Sequence, residues 1–390
     1  MDFSFTKEQE ALRQEVRSFL ESEIKQGLWK PTCDAWIMAY DPAFTKRVAE
    51  KHLIGITWPQ DYGGRGLTFL DRLIVTEEML RYGAPAACHW FADRQIGGAL
   101  VHYGTEEQKA AHLPIILRGE AFVGLGMSEP ESGSDLASLK TRAVETDDGF
   151  VIDGQKVWTS GGHVMNYMYL VARTDPNVPK HKGISEFFID ARTPGVTVRP
   201  IVDMTGSIHF NEVFFDSVHV PKSALIGRQN NGWYQIVNQL DYERSGMERL
   251  MANYVLFEQL LKYVKETLRN GRPLAEDPLV RDKIAQLKID YEVGRLHMYK
   301  VAMVMDGGRA PNVESCMSKA FSTSFEQRLS NVAFNIAGLY GLLNPESRLS
   351  AMEGMAYHSY LSSKGYSLQG GTTEVLKGII AGRGLGLPSE

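Results

Sequence analysis

Cysteine is scarce: Cys33, Cys88 and Cys316 are the only three in 390 residues. They are odd in number, far apart and never in a CxxC pair. That argues against a disulfide framework or a structural zinc site and suits a reducing compartment. No apolar run approaches the ~20 residues of a membrane-spanning helix. The opening Met1-Asp2-Phe3-Ser4-Phe5 lacks the basic start and apolar stretch of a signal peptide. The expectation is a cytoplasmic protein. No basic stripe is present, net charge is −5 and the pI is near 6.1, so a nucleic-acid partner is not expected. There is no P-loop, HExxH or GxSxG. Glycine clusters at 63–66 and 382–386 do not follow a strand of a βαβ unit, so neither is a dinucleotide fingerprint. The ten histidines are scattered without metal-ligand spacing, and no metal is expected. Trp90, beside His89, reads as helix packing.

What is present is ordinary globular material. Hydrophobic residues make up 43% and charged residues 23%, enough for a core, and the length predicts two or three structural units. Three textures follow one another. Over 1–120 the periodicity is helical. Leu12, Val16, Phe19, Leu20 and Ile24 form a stripe behind Thr6, with Gln9 three residues on, the pattern of a capping box. Further helical stretches fall at 43–51, 69–81 and 87–103. Over 121–228 short β runs predict a barrel or sandwich: 150–152 between Asp148-Gly149 and Asp153-Gly154 turns, then 167–172, 184–189, 196–201 and 213–220. Over 229–390 the helical period returns as long stripes. The first is Met247, Leu250, Tyr254, Phe257, Leu261, Val264 and Leu268. The second runs from Ile284 through Tyr291 and Met298 to Met305, and the third from Phe325 through Ile336 to Leu339. Such stripes describe antiparallel helices in a four-helix bundle. The expected fold class is therefore α+β, in the order helical domain, β domain, helical bundle.

Two places could carry chemistry. Read backwards from Met247, the first stripe continues through Glu243, Leu240 and Ile236, which sets a carboxylate on the interior line. Burial raises a carboxyl pKa toward the range of a general base. A buried ion pair with Arg244 or a neighbouring helix satisfies the same pattern, and periodicity leaves both readings open. Arg244 itself, with Asp241 and Glu248 at helical spacing, reads as part of a solvated charge ladder. The second place is Ser128-Glu129-Pro130-Glu131-Ser132-Gly133-Ser134-Asp135, a small-residue loop after a β run. It can hold a phosphate or a polar ring edge, or be an ordinary surface turn.

Taken together, the motifs resemble the acyl-CoA dehydrogenase family over nearly the whole chain. Trp58-Pro59-Gln60-Asp61-Tyr62-Gly63-Gly64 is similar to its WPxxYGG loop, and Met127-Ser128-Glu129-Pro130 through Asp135 to its TEPGAGSD segment. Gly154-Gln155-Lys156-Val157-Trp158-Thr159-Ser160 is similar to its GxKxWITN strand. Gly371-Thr372-Thr373-Glu374, with Ile379-Ile380-Ala381-Gly382-Arg383, is similar to its terminal signature. The resemblance implies FAD between the β domain and the bundle. Met127, Ser128, Ser134, Trp158 and Ser160 would touch it, and Ser160 would keep a hydroxyl toward flavin N5. Thr372 and Glu374 would lie by its phosphate and ribose portion. Arg269, Asn335 and Gly338 would reach the FAD of a neighbouring subunit. Ser134, Tyr242, Arg244 and Gly371 would contact the acyl-CoA.

Many members carry their catalytic glutamate directly before the glycine of the terminal motif. Here that place is Gly370. Another subset, including isovaleryl- and long-chain-type enzymes, carries it on the first long bundle helix directly before an arginine, and Leu240-Asp241-Tyr242-Glu243-Arg244 matches. The resemblance thus implies that the Gly370 N–H and a ribityl hydroxyl bind the thioester carbonyl. Glu243 would take the C2 proton, C3 would lose hydride to flavin N5, and an electron-transfer flavoprotein would collect the electrons. Two motifs depart from the family. Arg269-Asn270-Gly271-Arg272-Pro273 stands where an arginine and an FG pair are common. In Asn335-Ile336-Ala337-Gly338-Leu339-Tyr340-Gly341, Asn335 replaces a glutamine and Leu339 a glycine. A homotetramer is expected, and these departures keep a heteromer open. Other readings on the same fold are an enoyl-CoA reductase, a cyclic acyl-CoA dehydrogenase using a further acid such as Asp93, a partner-dependent subunit, and a flavin oxidase or monooxygenase.

Overall fold

The computed structural model describes residues 4–243 and 247–388, with 238–243 described in backbone alone. Helices α1 (Lys7–Lys25), α2 (Ala35–Met38), α3 (Pro42–Glu50), α4 (Phe69–Arg81), α5 (Ala87–Phe91), α6 (Gly98–Tyr103) and α7 (Glu106–Leu117) come first. Strands β1 (Val123–Gly126), β2 (Arg142–Glu145), β3 (Gly149–Lys156), β4 (Tyr167–Arg173), β5 (Ile184–Asp190), β6 (Val196–Ile201), β7 (Phe210–Pro221) and β8 (Leu225–Ile226) follow. Then come α8 (Gly232–Glu243), α9 (Glu248–Met251), α10 (Tyr254–Glu266) and a small hairpin of β9 (Leu268–Arg269) and β10 (Arg272–Pro273). Helices α11 (Pro278–Asp306), α12 (Asn312–Ala337), α13 (Met355–Ser362) and α14 (Thr373–Ile379) complete the chain. The order is helical, β, helical, as the sequence predicts.

The helix starts are chemically determined. Thr6 Oγ1 accepts from the Gln9 N–H at 3.2 Å while Gln9 Oε1 accepts from the Thr6 N–H at 3.1 Å, so two otherwise orphaned donors are satisfied reciprocally. Thr68 with Asp71 and Thr105 with Gln108 repeat the device at α4 and α7. The helical stretch expected at 87–103 is present but interrupted by a π-helical turn at Ala92–Gly97. A Cβ at Gly97 would lie 1.8 Å from the Trp58 ring, so the indole packs directly on this turn and position 97 has no room for a side chain.

The chain divides into two compact units, one of residues 1–36, 68–85 and 244–390, the other of 37–67 and 86–243. The second holds an eight-stranded sheet in the order β6-β7-β3-β2-β4-β5-β8, with β1 parallel to β4. Its core is Ile152, Met168, Leu170, Phe187 and Val213. The expected turn at Asp153-Gly154 is instead a bulge inside β3, which pairs with β7 on both sides of it. Gly154 has φ +147°, and a Cβ there would come within 2.5 Å of Thr141. The glycine therefore serves a bulge and a close approach rather than a reversal.

In the other unit, α4 packs against α1 and α11, and α12 packs against α11, α9 and α13. The stripe on α11 is buried as expected at Leu287, Tyr291, Gly294, Met298, Val301 and Met305. The stripe beginning at Met247 does not belong to one helix. It is divided among α9, α10 and the hairpin, where Leu268 is exposed. Asn253 explains one break: its side chain turns inward to Glu326, and the Ala252 carbonyl accepts from the Asp34 N–H at 2.8 Å. Leu339 likewise falls beyond the end of α12 and is 80% exposed rather than interior.

Candidate functional site

In the sheet-bearing unit, β1 runs out at Gly126 and hands the chain to Met127, Ser128 and Glu129. The Ser128 carbonyl accepts from the Val157 N–H at 2.9 Å, which joins this segment to the end of β3. Lys156 is wholly buried beneath it. Its Nζ donates to the Met127 carbonyl at 3.0 Å and to Glu129 Oε1 at 2.8 Å. Glu129 also accepts from the N–H groups of Lys140 and Thr141. Burial lowers the Lys156 pKa to about 8. Burial raises Glu129, but Lys156 and the two N–H groups outweigh it and hold the carboxyl below its usual range.

Past Lys156 the backbone turns sharply. Trp158 has φ +64°, a left-handed conformation that an aromatic residue rarely adopts; the residue is 57% exposed, and its ring meets that of Phe210 edge to face. The turn is held by Asn211, whose carbonyl accepts from the Thr159 N–H at 3.0 Å and whose Nδ2 donates to the Thr159 carbonyl at 3.0 Å. Thr159 is buried and donates to the Leu125 carbonyl, while Ser160 is buried beside it. Ser134 is exposed in a loop closed by paired bonds between Glu129 and Ser132 and by Asp135 against Lys180. Met127, Ser128, Trp158 and Ser160 are thus brought to one sheet end, with Ser134 on the loop that leaves it. Asp93 lies in the π-helical turn, where its Oδ1 accepts from the Gly55 N–H at 2.8 Å.

In the other unit, Gly370 and Gly371 are consecutive left-handed residues, with φ of +64° and +94°. Thr372 follows as the cap of α14, accepting from the Val375 N–H, and Glu374 is exposed on its first turn. Lys319 of α12 is fully buried and donates to the Gly371 carbonyl at 2.5 Å. Arg269 stands on the β9–β10 hairpin, largely exposed, 4.0 Å from Asp277. Asn335 is exposed near the end of α12, and Gly338 ends that helix at φ +60°. Arg269, Asn335 and the 370–374 loop therefore stand on three separate elements. The side chains of Tyr242 and Glu243, and Arg244 altogether, lie outside the described residues.

Sequence reasoning passed over Lys156, Glu129, Lys319 and Glu326 as individual residues. The first two sit inside quoted motifs, but a lysine at the inward position of a strand declares its burial only once the register is known. Among the described residues, no group of three or more His, Cys, Asp or Glu is arranged to hold a metal ion. No described helix is long and apolar enough to cross a membrane.

Comparison with known proteins decides the family. Models of the acyl-CoA dehydrogenase N-terminal, middle and C-terminal domains match residues 6–120, 124–218 and 230–385. The acyl-CoA dehydrogenase IpdE1 of Mycobacterium tuberculosis is 31% identical over 98% of this chain and 98% of its own. The chain belongs to the acyl-CoA dehydrogenase family. It is therefore an oxidoreductase of a flavoprotein family. The acyl-CoA dehydrogenase FadE29 of the same organism is also 31% identical, over 100% of this chain and 99% of its own. Among solved structures, the Tcur3481-Tcur3483 steroid ACAD superposes with a TM-score of 0.89 at 30% identity, over 100% of both chains. The ChsE4-ChsE5 complex from Mycobacterium tuberculosis gives 0.86 at 28% identity, again over 100% of both.

Proposed function

We propose that this acyl-CoA dehydrogenase uses FAD to place a double bond between C2 and C3 of an acyl-CoA, with Glu243 as the base. The observation that carries the reading is position 370. Where many members have a carboxylate, this chain has a glycine at φ +64°, a conformation in which any other residue is disfavoured by about 1–2 kcal/mol. The carboxylate directly before an arginine stands instead at Glu243, the last residue of α8. The two positions exchange roles as the family's two arrangements do.

The residues present suit FAD. Trp158 offers an exposed aromatic face on a strained, well-anchored turn, Ser128 and Ser160 offer hydroxyls at the same sheet end, and Ser134 adds one on the adjoining loop. Bound FAD supplies the two-electron acceptor for the C3 hydride. The Gly370 N–H donates to the thioester carbonyl and stabilises the negative charge that grows there, which acidifies the C2 proton. By the family resemblance Glu243 would remove that proton, and Tyr242, Arg244 and Gly371 would be contacts of the acyl-CoA. The likeness to a structure described as a steroid ACAD favours a bulky acyl group. A soluble electron-transfer flavoprotein is the acceptor expected for such an enzyme.

Glu243→Gln tests this reading. The variant should retain its flavin yet be reduced by a saturated acyl-CoA about a thousandfold more slowly than wild type, the scale of losing a general base. Wild-type reduction rates in the variant would remove Glu243 from the mechanism.

A second reading, a heteromeric enzyme, is favoured by the departures at Leu339 and the Arg269 hairpin. Leu339 is 80% exposed where the family has a glycine, and two similar solved structures are named as pairs of chains. Sedimentation of the chain purified alone separates the readings. A stable, fully flavinylated homotetramer supports the homomer, and substoichiometric flavin in a smaller species supports a missing partner.

A further inference from the structure

Lys319 is a buried cation that the proposed chemistry does not use. It projects from α12 with no exposed surface, and its Nζ donates to the Gly371 carbonyl at 2.5 Å and to the Tyr366 carbonyl at 3.4 Å. Moving an ammonium out of water is costly unless its donors are matched. These two carbonyls lie at the two ends of one short segment, Tyr366-Ser367-Leu368-Gln369-Gly370-Gly371. Between them the chain reverses through the Leu368 and Gln369 N–H groups, both donating to the Gly365 carbonyl, and then passes two left-handed glycines. Glycines restrict the backbone least of all residues. The backbone at 370 and 371 is therefore little restricted by its own residue types, and contacts from neighbouring elements restrict it further. Helix α12 holds the segment and its approach: Lys319 grips both ends, and Gln327 Nε2 donates to the Ser363 carbonyl and the Ser367 hydroxyl.

We propose that Lys319 is the positioning residue of the carbonyl-binding turn, clamping the Tyr366 and Gly371 carbonyls so that the Gly370 N–H keeps one direction. The proposal rests on the reading that Gly370 serves the thioester carbonyl. A flexible diglycine turn donates weakly to a developing oxyanion because the donor must be ordered at the moment of reaction. A clamped one is already ordered. Lys319 touches neither substrate nor cofactor in this scheme. Its effect belongs to the ease of proton removal and not to retention of FAD.

The test isolates that proton. 3,3-Dimethylbutanoyl-CoA has hydrogens at C2 and a quaternary C3 with no hydride to lose, so in deuterium oxide its only reaction is exchange at C2, read by mass spectrometry. The holoenzyme at saturating probe should exchange C2. Lys319→Met should exchange about a hundredfold more slowly, the scale of a donor misplaced by an ångström, with FAD content and the circular dichroism of the fold unchanged. Lys319→Arg, which can still donate to both carbonyls, should recover to within about tenfold of wild type. Wild-type exchange in a folded Lys319→Met overturns the clamp and leaves the dehydrogenase reading intact. Absence of exchange in the wild-type holoenzyme overturns the carbonyl-activation reading itself. If neither variant folds, Lys319 is a stability element and the positioning role is rejected.

Discussion

Lys156 Nζ lies 2.8 Å from Glu129 Oε1, and both charges are buried. The pair stitches three backbone segments together: Met127 through its carbonyl, and Lys140 and Thr141 through their N–H groups. It lies directly beneath the residues proposed to receive FAD. Removing one partner strands the other as an unpaired buried charge, which typically costs about 3–5 kcal/mol, whereas apolar replacement of both partners is often neutral. Lys156→Met should therefore destabilise by that amount in urea unfolding, and Lys156→Met with Glu129→Met should recover part of it, the Lys140 and Thr141 N–H groups then lacking their acceptor. Destabilisations of Lys156→Met and Glu129→Met that simply add in the double variant would show that the pair is not coupled.

Glu326 gives a pH prediction of definite sign. It is fully buried on α12, held by the Asn253 side-chain and backbone N–H groups, and burial together with nearby Asp34 raises its pKa well above 4.5. The folded state therefore holds a proton that the unfolded state releases once the pH exceeds about 4.5. With more protons bound to the folded state, stability falls as pH rises from there toward the folded pKa, and levels off beyond it. Glu326→Gln keeps the shape and the acceptor oxygen but cannot ionise. Its unfolding free energy should lose that downward slope and exceed wild type most at the alkaline end. Parallel stability–pH curves for the two proteins would show that Glu326 does not titrate in this window.

The difference between what was legible in the sequence and what was not follows from range. Capping boxes at Thr6, the α11 stripe and the β runs are local patterns, so the order of helical and β segments could be read from neighbours a few residues apart. The motifs at 58–64, 127–135, 154–160 and 371–374 were legible as resemblance for the same reason. Lys156, Lys319 and Glu326 were not. Each is an ionisable group whose partners lie 27, 52 and 73 residues away, and no periodicity marks such a buried group as satisfied. The break at Asn253 was hidden likewise, because the apolar spacing continues across it while the backbone does not. Gly154 shows the converse error: an Asp-Gly pair signals a reversal locally, and only pairing with β7 reveals a bulge.

Trp158 separates a cofactor role from a structural one. Trp158 is 57% exposed and its backbone is left-handed, so the side chain contributes little to the folded protein and its backbone conformation is unfavourable. Such strain persists where the surroundings impose it, here the two bonds between Asn211 and Thr159, one donated by each. Trp158→Ala should leave the unfolding free energy of the apoprotein within about 0.5 kcal/mol of wild type, as for an exposed site. Loss of an aromatic contact worth about 0.5–1.5 kcal/mol should weaken FAD binding by up to about tenfold. Titration of the apoprotein with FAD, followed by flavin fluorescence, measures the second effect directly. Unchanged FAD affinity in a normally folded variant would move Trp158 out of the flavin site.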